Sequence, residues 1–323
     1  MVTAIAHSNI ALSKYWGKRQ LALNLPAVGS ISLTLSDLYT ETSVTPGAMD
    51  EVFVDGRAAG LAFSSRVLRF LDRLRDEAGT AQPLAVRTRN TFPTGAGLAS
   101  SASGFAALTL AASRALGMNL DQRTLSIFAR QGSGSASRSI FGGFVEWHRG
   151  VKADGSDSFA EPIATPDHWD VRMLVVITSE HEKAQSSTDG MNLTRDTSPY
   201  YQAWVDHSQT ALDAMRKSIL DRDFTRTGEL MEASCLQMHA VMLSGTPGLL
   251  YWNPTTVALI NAVRTLRRDG TECYFTIDAG PQVKVLCRAG DASGLERRLG
   301  SVPGVIRVLS AAPGPAARVQ GDP

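Results

Sequence analysis

Residues 90–117 read "NTFPTGAGLASSASGFAALTLAASRALG". The head of this stretch places Gly95, Gly97, Ser100, Ser101 and Ser103 close together, and an apolar run with helical spacing follows. The pattern predicts a helix over 101–116, stopped by Gly117. A glycine-rich turn that opens a helix can offer unpaired backbone N–H groups and the positive end of the helix dipole to an oxyanion. The same serines and glycines also serve as an ordinary helix cap. Physics alone leaves both readings open. It excludes two familiar phosphate loops: no Gly-Lys-Ser/Thr follows, and the third glycine of the dinucleotide fingerprint is missing.

Working outward, alternation of apolar and β-branched residues predicts strands at 31–35, 41–44, 51–54 and 83–90, with a hairpin turn at 55–57. Residues 67–74, "VLRFLDRL", form an amphipathic helix with arginines on its other side. A second helix is expected over 120–130. "GSGSASRSIFGGFVEW" (132–147) reads as another glycine- and serine-rich loop, followed by a strand. Residues 150–168 are polar and read as a hairpin tip or an inter-domain linker. A buried strand at 171–179 opens the second half. Residues 199–242 read as mostly helical, and 253–270 as a helix closed by Gly270. "CYFTIDAG" and "VKVLCRAG" are strands around a turn at Gly280-Pro281, and the tail after Gly314 reads as loose. Helices and strands interleave with frequent hairpin signals, so the class is α+β in two domains, expected at 1–168 and 169–323.

With 43% hydrophobic and 20% charged residues, the chain can build a sizeable core. The net charge of +1 comes from 32 cations and 31 anions, which gives no support for a broad nucleic-acid surface. A small basic pocket is compatible with that balance. The scattered Cys235, Cys273 and Cys287 suit a reducing compartment, and the six histidines form no zinc motif. With no signal peptide and no membrane span evident, a cytoplasmic location is expected.

Two sets of residues carry a family resemblance. "PTGAGLASSAS" (93–103) resembles the ATP-binding loop Pro-x-x-x-Gly-Leu-x-Ser-Ser-Ala/Ser of the GHMP kinase superfamily. "NIALSKYWGKRQLALNLPAVGSISLTL" (9–35) closely resembles the diphosphomevalonate decarboxylase signature NIA-x-x-KYWGKR…LNLP…SIS-x-TL. "GSGSASRS", "QSSTDGMNLT" (185–194), "HAVMLSGTPGLLYWNPTT" (239–256) and "FTIDAGPQV" (275–283) follow in the order of that family, so the likeness runs from residue 9 to about 285. It implies the two-domain GHMP kinase fold: a ribosomal protein S5 domain 2-like N-terminal domain, a ferredoxin-like C-terminal domain, and the active site in the cleft between them. It also implies ATP and Mg²⁺, a homodimer, and ATP-dependent decarboxylation of (R)-5-diphosphomevalonate to isopentenyl diphosphate, with ADP, phosphate and CO₂.

That reaction assigns tasks to residues. The tertiary 3-hydroxyl leaves poorly until it is phosphorylated. Loss of the phosphate builds positive charge at C3, and the departing carboxylate supplies the electrons of the new double bond. Asp278 is the candidate facing the 3-hydroxyl, as orienting group, proton acceptor or electrostatic partner of C3. Lys14 would stand beside it and hold it ionised. Arg138 suits a bidentate grip on the carboxylate. Tyr15, Lys18, Ser133, Gly134, Ser135, Ser187 and Thr188 are the further substrate candidates, while Met191 is expected to pack. For ATP the candidates are Gly95, Ala96, Gly97, Leu98, Ala99, Ser100, Ser101 and Ser103, with Ser101 also the candidate for Mg²⁺.

The chain departs from the family pattern at Gly95, usually alanine, at Ser137, often cysteine, and at Gln282, usually asparagine. Thr188 stands where some bacterial members carry an arginine that contacts the diphosphate. Two other readings use the same fold: a kinase or decarboxylase acting on another mevalonate derivative such as mevalonate 5-phosphate, and a non-catalytic ATP-binding protein.

Overall fold

The structure is a computed structural model that describes residues 1–92, 100–181 and 185–321. In chain order the first half runs β1 (Val2–Ser13), β2 (Lys18–Gln20), β3 (Leu25–Pro26), β4 (Ser30–Pro46), β5 (Glu51–Val54), β6 (Arg57–Ala58), α1 (Leu61–Ala78), β7 (Leu84–Asn90), α2 (Ser100–Ala115) and α3 (Gln122–Gly132). A 3₁₀ turn at Gly134–Ile140 leads into β8 (Phe144–Trp147) and β9 (Ala160–Ala164). The second half holds β10 (Val171–Ile177), α4 (Ser187–Thr197), α5 (Tyr201–Leu220), α6 (Phe224–Leu243), α7 (Pro254–Arg268), β11 (Cys273–Ile277), β12 (Val283–Arg288), α8 (Ala292–Gly300), β13 (Arg307–Ala311) and β14 (Arg318–Val319).

The larger sheet runs β14-β1-β4-β7-β5-β6, with β8 and β9 added on the early part of β4. One of its faces packs on α1, α2 and α3 through Ala4, Val44, Leu71, Leu84, Phe105 and Leu110. The helix expected at 101–116 is α2. It is buried on nearly all sides, as its alanine- and serine-rich composition allows. The smaller sheet runs β11-β12-β10-β13. Helices α7 and α8 cover one of its faces, through Leu259, Val263, Leu295 and Leu299. A third cluster joins the two halves: Ile10, Leu12, Ile31 and Leu33 of the large sheet meet Val175 of β10 and Leu212 and Met215 of α5.

Three expectations need correction. First, residues 1–13 carried no predicted element, yet they form the twelve-residue β1. This strand is buried along its length between β4 and β14, so it has no polar alternation to show. Second, the strands expected at 31–35 and 41–44 are one strand, β4, whose register against β1 shifts between the pairs His7↔Tyr39 and Asn9↔Thr34. Third, the tail is not loose. Leu35 bridges Pro313, and β14 pairs with Ala4 and Ile5 on the outer side of β1. The polar stretch at 150–168 resolves into a hairpin tip followed by β9, a strand of the large sheet.

Candidate active site

The chain leaves β1 at Ser13 and turns through Lys14, Tyr15, Trp16 and Gly17 before β2. Trp16 anchors the turn. It is almost fully buried, its Nε1 donates to Thr194 Oγ1 at 2.8 Å, and its carbonyl accepts from Trp204 Nε1 at 3.1 Å. Gly17 has φ +99° and lies against the Tyr201 side chain, so an L side chain there would meet both backbone strain and a clash. The anchored turn directs its cations inward. Lys14, Tyr15 and Lys18 all line one cleft of about 970 Å³.

Arg138, Ser133, Gly134, Ser135, Ser187, Thr188 and Asp278 line the same cleft, as do Ser100 and Ser101 at the start of α2. The structure therefore brings together the motifs that sequence separates by up to 264 residues. Ser133 Oγ lies 3.4 Å from Ser101 Oγ, which joins the 132–147 loop to the start of α2. Gly95, Ala96, Gly97, Leu98 and Ala99 lie outside the described residues. Ser103 is a correction. It is fully buried, and its hydroxyl faces Thr40 Oγ1 at 2.7 Å, because one turn beyond Ser100 the helix presents that position to the sheet. Met191 packs with Trp16 and Met238, as expected.

Asp278 follows β11 and remains partly open to the cleft, with 30% side-chain exposure. Its Oδ1 accepts from Lys14 Nζ at 2.5 Å, and its Oδ2 pairs with Lys284 Nζ at 3.2 Å. Burial by itself would push this carboxyl up. The ammonium groups of Lys14 and Lys284 outweigh it and hold the carboxyl well below the usual carboxylate range. Lys14 is fixed at its backbone too, donating to Ser234 Oγ on α6 at 2.9 Å.

Arg138 is buried on the 3₁₀ turn. Its guanidinium donates to Asn9 Oδ1 at 3.1 and 3.2 Å and to Ser30 Oγ at 2.5 Å. Burial pushes it down to about 10, so it stays charged at neutral pH. Asn9 is held in turn by Ser135 O and Ser139 Oγ. Lys18 donates to Asn24 Oδ1 at 2.7 Å and to Thr188 Oγ1 at 3.2 Å. Burial, reinforced by the charge of Arg66, pushes its ammonium down to about 8. The Tyr15 hydroxyl is buried without a hydrogen-bond partner among the described residues.

Sequence reasoning missed several groups that build the site. Arg66, Arg69 and Arg73 lie three and four residues apart on α1, so they form one stripe that borders the cleft. The spacing was visible, but nothing in it said which surface the stripe would face. Asn9 and Asn24 were missed because their work is to hold Arg138 and Lys18. Lys284 was missed inside an apolar strand.

As a whole the cleft is strongly cationic. Six cations line it, Lys14, Lys18, Arg66, Arg69, Arg73 and Arg138, and Asp278 is the one acid among the described lining residues. Such a site can hold a polyanion of several charges and present one ionised carboxylate to it.

Comparison with known proteins agrees with this arrangement. The profile of the diphosphomevalonate decarboxylase-like N-terminal domain matches residues 6–160, and that of the mevalonate 5-diphosphate decarboxylase C-terminal domain matches residues 173–303. The diphosphomevalonate decarboxylase of Candida albicans is 37% identical over 92% of this chain and 88% of its own length. The Saccharomyces cerevisiae protein of the same name is 36% identical over 92% and 81%. The crystal structure of mevalonate diphosphate decarboxylase from Staphylococcus aureus superposes with a TM-score of 0.93 at 38% identity, covering 99% of this chain and 98% of that one. A structure described as MDDEF in complex with MVAPP, AMPPCP and magnesium gives a TM-score of 0.92 at 41% identity, covering 98% of each chain. The chain belongs to the diphosphomevalonate decarboxylase family of ATP-dependent carboxy-lyases.

Proposed function

We propose that the cleft binds (R)-5-diphosphomevalonate and ATP together and divides the work of decarboxylation among its own residues as follows. The observation that carries this is the set of six cations around one ionised carboxylate. Diphosphate, carboxylate and nucleotide phosphates are all anionic, and only such a lining would hold them in one enclosure.

Lys18, with Tyr15, Ser187 and Thr188 beside it, receives the substrate diphosphate, and the α1 arginine stripe adds charge along that wall. Lys18 has no ion pair among the described residues, so its charge is available to a ligand. Arg138 receives the carboxylate. Its fork is held in place by Asn9 and Ser30, with no acid in ion-pair contact among the described residues, which leaves the guanidinium to meet the substrate. Ser133, Gly134 and Ser135 add donors beside it.

Asp278 faces the 3-hydroxyl. Two ammonium groups make it a poor proton acceptor, so its part is to orient the hydroxyl and to favour positive charge at C3 as the phosphate leaves. In a loose phosphoryl transfer the hydroxyl proton need not leave before the new P–O bond forms. Lys14 lies beside the hydroxyl and is placed to neutralise the transferring phosphoryl.

ATP is read to lie against the start of α2. Ser100 and Ser101 face the cleft there, at the end of a sixteen-residue helix whose dipole favours anions. Mg²⁺ would shield the nucleotide phosphates, with Ser101 as the protein group to meet it. Gly95, Ala96, Gly97, Leu98 and Ala99 remain part of this proposal on the strength of the loop pattern. So do the division of the chain at 168/169 and the homodimer.

The test is incubation with ATP, Mg²⁺ and, in turn, mevalonate, its 5-phosphate and its 5-diphosphate, with ADP and CO₂ measured separately. Equal ADP and CO₂ from the diphosphate alone is expected. ADP without CO₂, or CO₂ only from the monophosphate, would overturn the assignment.

A further inference from the structure

β12 is an interior strand of the smaller sheet, flanked by β10 and β11. Its residues Val283, Val285, Leu286 and Cys287 are apolar and buried, as an interior strand requires. Position 284 breaks the pattern. Lys284 has no exposed surface and ranks among the largest fully buried side chains of the chain. A buried ammonium is costly unless it is paired. The register explains the pairing. Lys284 lies opposite Thr276 on β11, and Asp278, two residues further on, shares that face as its diagonal neighbour. The ammonium reaches Asp278 Oδ2 at 3.2 Å, while Lys14 holds Oδ1.

The two lysines differ in one respect. Lys14 borders the cleft, and Lys284 does not. Lys284 has no exposed surface, and the contact that links it to the cleft is its pairing with Asp278.

We propose that Lys284 is a positioning residue for the decarboxylation, gripping the second oxygen of Asp278 so that the carboxylate meets the 3-hydroxyl ionised and in one fixed orientation. This rests on the reading of Asp278 given above. A carboxylate held by Lys14 alone keeps a free rotation about its last bond. Held at both oxygens, it has one plane, and its remaining lone pairs point into the cleft.

The charged and titratable groups around Asp278 come from every neighbouring element. They are Lys14 after β1, Lys284 on β12, Arg138 on the 3₁₀ turn, and Cys235 and His239 on α6. Burial pushes the Cys235 thiol up to about 11 and the His239 imidazole down to about 4, so both are neutral near pH 7. The lysines therefore dominate. Burial alone would push the carboxyl up, and removing one of the two opposing cations lets it rise. Asp278 would then lose its charge at a higher pH than in the parent.

The test is Lys284→Met, a near-isosteric apolar replacement; it removes one partner of a buried pair and so costs stability, and folding is therefore followed beside activity. Lys284→Arg serves as the variant that restores charge. Steady-state kinetics across pH are measured beside thermal melting and calorimetric binding of the substrate. In Lys284→Met, kcat should fall about 10- to 100-fold, in line with other groups that orient a reacting group. Substrate binding should stay within about threefold, and the acidic limb of kcat should move to higher pH. Lys284→Arg should recover part of both effects.

A residue that serves packing alone would lower the melting temperature and the active fraction and leave the acidic limb where it was; that result overturns the proposal. So does a kcat within about twofold of the parent. Should Lys284→Met fail to fold, Lys284→Gln takes its place, read on the same measurements with the same expected and the same overturning results. Asp278→Ala is run alongside. If it retains turnover, the reading of Asp278 falls and this inference with it. If it is inactive while Lys284→Met behaves as the parent, only this inference falls.

Discussion

The ammonium of Lys14 lies 2.5 Å from Oδ1 of Asp278, and 264 residues of chain separate the two. Lys14 comes from the turn after the first strand of the large sheet, and Asp278 from the end of a strand in the small sheet. Their contact joins the two sheets at the point where the 3-hydroxyl is read to lie.

Replacing Asp278 by alanine is therefore expected to lower kcat by at least about 100-fold. Binding of an ATP analogue should stay within a few-fold, because the start of α2 is untouched. Product formation and calorimetric titration of the same preparation check the two statements. Turnover within tenfold of the parent would remove Asp278 from the mechanism.

Arg138→Gln should cost about 10²- to 10³-fold in kcat/KM, the scale on which a preorganised donor acts. Arg138→Lys should recover little, since an ammonium cannot reproduce the fork that Asn9 and Ser30 hold in place. If lysine restored activity fully, a point charge would suffice and the bidentate reading would fail.

Lys18 makes pH a probe of the diphosphate end. Its ammonium is pushed down to about 8, so the free enzyme loses this charge as pH rises through that value. The kcat/KM profile should show a basic limb near there, steeper at low salt, and Lys18→Met should lack it. The sign for stability is opposite. Between about pH 8 and the unfolded lysine value of about 10.4, the unfolded chain binds more protons than the folded one, so this group's contribution to stability rises with pH.

Removal of the tail after Ala311 should destabilise the protein. It deletes β14 from the edge of β1, together with the Gly314 N–H bond to Thr34 O and the Gln320 N–H bond to Thr3 O, both 2.7 Å. A loss of about 2 kcal/mol, or roughly 4–8 °C in melting temperature, is expected. The bared edge should also promote association at high protein concentration. An unchanged melting curve would contradict the pairing.

Chelation of divalent cations should stop turnover without shifting the melting curve of the ligand-free protein. Mg²⁺ is commonly held through nucleotide phosphates with few protein ligands, so the ion is expected to arrive with ATP. A melting curve that falls on chelation would point to a resident ion.

Much of this architecture was legible in short windows. The periodicity of "VRMLVVITS" and the capped stretch "NPTTVALINAVRTLRRDG" needs only neighbouring residues, and both elements formed where expected. β1 was not legible, because "VTAIAHSNIALS" is buried throughout and alternates in neither size nor polarity. β4 was read as two strands, with Ser36 and Asp37 in the gap between them. In the folded protein they sit at the shift in register against β1.

The residue chemistry of the site was also in the chain. Lys14, Lys18, Arg138 and Asp278 could be named from their motifs, because charge and hydrogen-bonding capacity belong to a side chain wherever it lies. Their roles required contacts between distant segments. Only folding turned Ser103 toward Thr40 and away from the cleft, set the α1 arginines along its wall, and placed Lys284 under the carboxylate of Asp278. Burial and pairing decide what an ionisable group can do, and both are properties of three-dimensional neighbours that no local stretch of sequence contains.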